Sequence, residues 1–289
     1  MIDLHTHSSS SDGTYSPKEL VDHALEKGLS VLALTDHDTV DGLKEASEEA
    51  AKVGITFVPG IELNIEWPTG EFHLLGLGLK SVSPELSTII SDLQQKRNTR
   101  NIEMISKIQE AGIPLTLEEL TARFHTNSLG RPHFAELMVE KGIVKNRQAA
   151  FDKYLAKGRP FYIKHEGADL SEAIDAIESS GGVPVQAHPL SMYVSWGKME
   201  NTMTSIHEQG VVGLEAYHPG VRVAEGERLE KLARKLGMIV TAGSDFHGEK
   251  IRSDRHLGFT TGGKKIEDRF WTEELLPLLN VKKHVIADL

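Results

Sequence analysis

The chain contains no cysteine. That excludes disulfide cross-links and thiolate-held zinc, and it leaves any metal chemistry to nitrogen and oxygen donors. No apolar run approaches the ~18–20 residues needed to cross a bilayer. The opening MIDLHTH has neither the basic nor the apolar stretch of a secretory signal. The expectation is a cytoplasmic protein that does not engage a membrane. Basic residues are in deficit, 32 against 42 acidic ones, for a net charge of −10. A protein that coats duplex DNA presents a basic face, so the balance argues against that class. It does not argue against a small phosphorylated substrate, because carboxylates bound to divalent cations lose their local negative effect. Aromatic residues are scarce as well, with five Tyr and three Trp, whereas there are fourteen His. Histidine is the commonest metal ligand, so the placement of these residues matters more than their number.

The first eighty or so residues alternate short apolar runs with helical stretches. Ile2–Leu4 leads directly into His5. Ser16-Pro17 reads as an N-cap followed by a proline at the first helical position, and Lys27-Gly28 as the end of that helix. VLALTDHDT is an apolar strand ending in polar residues, a second helix runs from about Val40 to Lys52, and ITFVPGIELNI and EFHLLGLGL read as further strands. The second half repeats the scheme: helices near Leu170–Ser179, Met199–Gln209 and Val223–Leu236 precede GVPVQAHP, VVGLEAYHP and MIVTAGSDFHG. Almost wholly apolar strands alternating with helices predict a parallel sheet covered on both sides. The pattern gives an α/β fold, a distorted (β/α)7 barrel whose polar residues lie at the strand C-terminal ends, the rim where such barrels build their sites. From about Pro84 to Pro160 the alternation stops and only helical patterns remain. The predicted organisation is therefore a barrel from 1–79 and 162–289 with an α-helical cap inserted at 80–161. The final FWTEELLPLLNVKKHVIADL predicts a closing helix and an edge strand.

Collected from the strand ends, the polar residues are His5, His7, Asp12, His37, Glu62, His73, His188, Asp245 and His247. Residues i and i+2 of a strand face the same side, so His5 and His7 are expected to point together, and likewise Asp245 and His247. A lone histidine at a strand end is more often structural than a ligand. Six of them with three carboxylates on one rim are another matter. Nine donors exceed the three or so protein ligands of one catalytic ion and suffice for two ions, or for three if a carboxylate bridges.

HTHSSSSDGTYSP, LALTDHDT, PGIELN, the isolated His73, QAHP and GSDFHG closely resemble the PHP family, named for polymerase and histidinol phosphatase. The resemblance covers Met1 to about Leu79 and about Gly182 to Gly258. With the helical insertion and its GRPH segment, the chain is most similar to a stand-alone bacterial subgroup. That subgroup includes 3′,5′-nucleoside bisphosphate phosphatases and a 5′→3′ exoribonuclease acting on short RNA. The resemblance implies a seven-stranded barrel holding three divalent ions (Mn, Fe or Zn). One would be held by His5, His7, Glu62 and Asp245. A second would share Glu62 and add His73 and His188, and a third would take Asp12, His37 and His247. The implied reaction is hydrolysis of a phosphate ester by a metal-bound hydroxide, with a nucleotide or a short RNA end as the substrate. Asp245 and His218 are the catalytic candidates, His218 as a general acid, a phosphate donor or a spare rim histidine.

Cations that do not ligate metal are needed for the phosphate, and GRPHF offers Arg131 and His133 while AKGRPFY offers Lys157 and Arg159. Both stretches read as turns displaying an arginine. IRSDRH, residues 251–256, is a further basic loop. Asp36 and Asp38 flank His37, and one of them is expected to orient an imidazole. His23, His125, His165, His207 and His284 read as structural, and the serines at 8–11 as loop residues. Three rival readings remain: a phosphomonoesterase for a small metabolite such as histidinol phosphate, a metal-dependent amidohydrolase, and a non-catalytic metal-binding module. The helical insertion disfavours the first, the extra Asp12, His37 and His247 the second, and the complete ligand set the third. The oligomeric state is left open.

Overall fold

The computed structural model describes residues 1–249, 251 and 254–281. The described strands are β1 (Ile2–Asp3), β2 (Val31–Leu34), β3 (Thr56–Ile65), β4 (Phe72–Leu77), β5 (Val183–Gln186), β6 (Gly213–Tyr217) and β7 (Ile239–Ala242). They form one sheet in chain order. Thr6, just past β1, bridges in parallel to Phe246, just past β7, and brings the two edges together into a nearly closed barrel. All pairings are parallel except β3–β4 and β4–β5. Here the expectation of polar residues at strand C-terminal ends needs correcting. No helix separates β3 from β4, so the chain turns back as a hairpin and β4 runs antiparallel. The N-terminal end of β4 therefore reaches the rim, and His73 sits at its second position.

Helices α1 (Pro17–Glu26), α2 (Leu43–Val53), α7 (Leu170–Ser179), α8 (Trp196–Glu208) and α9 (Val223–Leu236) each bury one face. The Ser16 side chain caps α1, and Glu19 reaches back to the Ser16 backbone, the reciprocal arrangement that satisfies two helix-end donors at once. Between β4 and β5 lie α3 (Pro84–Glu110), α4 (Leu117–Phe124), α5 (Arg131–Glu140) and α6 (Arg147–Ala150), the last continued by a π-helical turn over Phe151–Leu155. The helix α10 (Leu276–Val281) follows a second such turn at Phe270–Leu275. The expected edge strand after it, with His284, lies outside the described residues, as do Arg252 and Ser253 of the 251–256 loop.

Two apolar cores result. One lies in and around the barrel; the other is formed by Met104, Ile108, Leu120, Phe134, Met138 and Leu155 with their neighbours. The long helix α3 belongs to both, entering the first core with Leu86, Ile90 and Leu93 and the second with Met104, Ile105 and Ile108. No described helix is long and apolar enough to cross a membrane.

Candidate metal centre

The nine rim residues converge. His5 and His7 flank the bridge residue Thr6, and this short extension of β1 is gripped on both sides. Thr35 N–H donates to Thr6 O (2.9 Å), Asp245 N–H to His5 O (2.9 Å) and His7 N–H to Phe246 O (2.9 Å). The alternation expected of HTH therefore holds. Asp245 and His247 also face one site, with Asp245 Oδ1 3.5 Å from His247 Nδ1, but by a turn and not by strand alternation, since Asp245 lies beyond β7 with φ of 50°. His188 (φ 27°) and Asp38 (φ 51°) also sit in the left-handed region that side chains other than glycine avoid. Such strain gathers where neighbours fix a functional geometry. Glu62 and His73 share a face of the β3–β4 hairpin, since Asn64 pairs with His73 and Glu62 with Leu75.

Glu62 is the hub and is fully buried. Its Oε2 lies 3.3 Å from His5 Nε2, 3.2 Å from His7 Nε2 and 3.0 Å from His37 Nδ1. Its Oε1 lies 2.9 Å from both His73 Nδ1 and His188 Nε2. Asp245 Oδ1 is 3.1 Å from His7 Nε2 and 3.5 Å from His5 Nε2, and Asp12 Oδ1 is 3.1 Å from His247 Nε2. Three sets have donor atoms within 4.8 Å of one another and could each hold an ion: His5, His7, Glu62, Asp245; His7, Asp12, His37, His247; and His37, Glu62, His73. The second adds His7 to the trio implied by the resemblance, and the third puts His37 beside Glu62 and His73. Despite their closeness to the imidazoles, Glu62 Oε2 and Asp12 Oδ1 make no aligned hydrogen bond. Buried polar atoms are almost always paired. Donors that crowd together without pairing suit divalent cations, and nitrogen and oxygen donors without sulfur suit Mn, Fe or Zn.

The protonation pattern agrees. Burial disfavours the His5 cation, but Glu62 and Glu215 outweigh it and hold its pKa up at about 10. For His37 burial is again opposed, by Glu62 and Asp12 against a smaller repulsion from Arg97, and the pKa stands at about 9. His7 shifts the other way, held well below the usual imidazole value by burial and then by His247 and His37, so the field favours cations at His5 and His37 and not over the whole rim.

Glu215 is the residue that sequence reasoning missed. It lies inside β6, 1% exposed, with Oε1 3.0 Å from His5 Nδ1 while Oε2 accepts the His188 N–H (2.8 Å). Holding a proton on Nδ1 leaves the His5 Nε2 lone pair facing Glu62 and Asp245. The approach is close enough to require Gly243, where a Cβ would lie 2.7 Å from Glu215 Oε1 and 2.3 Å from His5 Cβ. The available signal was a charged residue inside the apolar run VVGLEAY, since a buried strand seldom carries a carboxylate without a partner. Ser191 does for His188 what Glu215 does for His5, its Oγ lying 2.9 Å from Nδ1. Neither Asp36 nor Asp38 touches the His37 ring. Asp36 accepts hydrogen bonds from Ser8 N–H, Ser8 Oγ and Ser11 Oγ and shapes the serine loop. Asp38 accepts from Asn64 N–H and pairs with Arg97 of α3.

His218 is buried beside the nine. Its Nδ1 accepts the Gly220 N–H (2.9 Å), so Nε2 carries the proton and faces Asp245 Oδ2 at 3.3 Å. Arg255, from the basic loop, pairs with the same carboxylate. Arg131 is the first residue of α5 and not part of a free turn. It does have an acidic partner, Glu71, at 2.8 Å, and its guanidinium lies 5.3 Å from the Tyr162 ring centre. His133 is buried, accepts the Gly130 N–H on Nδ1 (2.9 Å), and is held down to about 4, chiefly by burial, so its ring is neutral. Arg159 is exposed, with no side-chain partner among the described residues, and Lys157 reaches Thr69 O (3.2 Å). Of the histidines read as structural, His23 pairs with Glu249 and stacks on Tyr15, His125 caps α4, and His207 bonds Val211 O. His165 lies 3.9 Å from Asp38.

The family model of the PHP domain matches residues 3–243. This chain belongs to the PHP family. It is a metal-dependent phosphoesterase, a hydrolase whose rim clusters fit metal binding. It is 34% identical to a 5′-3′ exoribonuclease of Haemophilus influenzae over 85% of this chain and 89% of the relative. It is 32% identical to a 3′,5′-nucleoside bisphosphate phosphatase of Chromobacterium violaceum over 94% of this chain and 95% of that one. Among solved structures, a protein of Bifidobacterium adolescentis assigned to the metal-dependent phosphoesterases superposes with a TM-score of 0.85 at 28% identity, covering 96% of each chain.

Proposed function

We propose that this PHP phosphoesterase uses three divalent ions, held by the nine rim residues, to hydrolyse phosphate esters of nucleotides. The substrates would be 3′,5′-nucleoside bisphosphates or 5′-phosphorylated short oligoribonucleotides, the classes named for its relatives. The observation that carries the reading is the division of Glu62, with Oε2 among His5, His7 and His37 and Oε1 between His73 and His188. A carboxylate so placed can serve two ions at once, with Asp12 and His247 completing a third. When bound, the ions supply a water of lowered pKa and a Lewis acid for the phosphoryl oxygens.

The protein's own groups supply the rest. His218, kept neutral chiefly by burial, holds its proton at Nε2 beside Asp245 and can offer it as a hydrogen bond to a phosphoryl oxygen or to the departing oxygen. Asp245, as ligand and as acceptor from His218 and Arg255, keeps that donor aimed. Residues at about 80–161 act as a cap. Arg131 gives its guanidinium to a phosphate in exchange for Glu71, an exchange that costs little because the Glu71 end of the pair is 57% exposed. His133 fixes the start of α5, and Arg159 stands at the surface as an outer contact.

A substrate panel at saturating Mn²⁺ tests this reading. Adenosine 3′,5′-bisphosphate and a 5′-phosphorylated trinucleotide are expected to exceed histidinol phosphate in kcat/KM by at least about tenfold, the equivalent of ~1.4 kcal/mol of transition-state binding. A preference for histidinol phosphate would overturn the substrate class while leaving the metal chemistry in place.

A further inference from the structure

The buried stripe of α3 carries an anomaly. It runs Leu86, Ile90, Leu93, Arg97, Arg100 with Asn101, then Met104 and Ile108, the spacing of a helix face turned inward. At the junction between the two apolar cores the stripe switches to two arginines, 7% and 5% exposed. Arg97 is accounted for by Asp38. Arg100 is not. Its Nη2 donates to Asn101 Oδ1 (2.9 Å), an uncharged group, and its Nε has no partner. No carboxylate lies within ion-pair distance of it among the described residues. The charges of Arg97 and Arg131 both oppose it, and Asp38, already engaged, gives the main attraction. His165 adds no charge, since burial and then Arg97 hold it down to about 3. Three guanidiniums thus share two carboxylates, of which Glu71 is largely exposed. A buried cation without a counter-ion costs several kcal/mol, so such an excess calls for an anion.

The cluster adjoins the metal-binding rim. Asp38 follows His37, and its N–H donates to Glu62 O (3.0 Å). The segment leading into α5 rests on the same loops, with Ser128 Oγ donating to His37 O (2.8 Å) and Thr126 Oγ1 to Ser10 O (2.6 Å). Gly130, the N-cap of α5, lies beside the arginine, where a Cβ would be in ordinary contact with Arg97 Nη1 at 3.4 Å. On the other side, Arg131 joins Glu71, two residues before His73. We propose that Arg100, supported by Arg97 and Arg131, forms an anion subsite for the non-reacting phosphate of the substrate. This rests on the nucleotide reading above and deepens it, because the rim ligands can attack almost any phosphoester and cannot by themselves select one with a second phosphate. The ligand is either a terminal phosphate of a bisphosphate or an internucleotide phosphate.

The test compares wild type with Arg100→Met, metal-loaded and full length, on adenosine 3′,5′-bisphosphate, the 5′-phosphorylated trinucleotide and AMP. For the bisphosphate, kcat/KM is expected to fall at least ~10-fold more than for AMP. A matching fall for the trinucleotide shows that the subsite also takes an RNA phosphate, and its sparing confines the subsite to the bisphosphate. A second readout does not depend on turnover. In phosphate-free buffer the Arg100→Met protein should melt at or above the wild-type midpoint, because an uncompensated charge has been replaced by an apolar chain. Its midpoint should also rise less on adding inorganic phosphate. Arg100→Lys, which keeps the charge but loses the fork, should lose part of the bisphosphate preference and serves if the Met variant does not fold. Equal falls for bisphosphate and AMP, or an unchanged phosphate response in a destabilised variant, overturn the subsite. A wild type that cleaves none of the three nucleotides overturns the nucleotide reading, and the phosphate response still decides the subsite.

Discussion

The barrel rim and the junction on α3 are both buried, both polar, and unbalanced in opposite directions. At the rim, Glu62, Asp12, Asp245 and Glu215 gather among six imidazoles and Arg255, and the carboxylates raise the pKa of His5 and His37 in spite of burial. At the junction, Arg97, Arg100 and Arg131 outnumber Asp38 and Glu71. A folded chain tolerates one such imbalance only when a ligand offsets it, since unpaired buried charge is among the costliest features a protein can carry. Two adjacent imbalances of opposite sign describe a ligand in two parts: cations at the rim, and an anion that touches both the cations and the arginines. A phosphorylated nucleotide meets that description, and a neutral amide does not.

The rim side of the comparison breaks most severely at Asp245. Asp245→Asn keeps the shape but removes the charge that His5, His7, His218 and Arg255 all contact. Loss of a main ion should cost several kcal/mol of transition-state stabilisation, a fall of at least about 10³ in kcat at saturating metal. Near-normal turnover in a folded Asn variant would remove Asp245 from the chemistry.

A smaller effect is expected one contact further out. Glu215→Gln preserves volume but loses the charge that fixes His5, and it sets an amide where both a ring N–H and the His188 N–H need an acceptor. Partners of this kind typically carry 10–100-fold in metal affinity. A competition titration against a chelator should show that loss for one ion of the set. An unchanged affinity would make Glu215 a packing residue only.

What was legible in the sequence follows from how local each cause is. Ser16-Pro17 and the helices at Leu170–Ser179 and Val223–Leu236 stand where capping and periodicity put them, because those causes act within a few residues. Most of the nine rim residues could be collected because they end or closely follow an apolar run, while Asp12 lies in the polar loop behind His5 and His7. The direction of β4 could not be read, since a strand's pattern is the same whichever way it runs. Arg131's partner Glu71 lies 60 residues away and is joined to it only by folding. Asp38 looked like a neighbour for the His37 ring, yet the left-handed turn at Asp38 sends its carboxylate to Arg97. Arg97 and Arg100 do not stand out in a helical pattern rich in polar residues, because their burial depends on a second core that the pattern does not announce.

The account rests on the rim donors being an ion site and not a hydrogen-bonded polar core. Elemental analysis of the chain after Mn²⁺ loading and desalting measures this directly. The shared use of Glu62 predicts a metal content approaching three per chain, falling by about one in Asp12→Asn, whose contacts are with His37 and His247. A content that saturates at one, or that does not respond to the loss of Asp12, would contradict it.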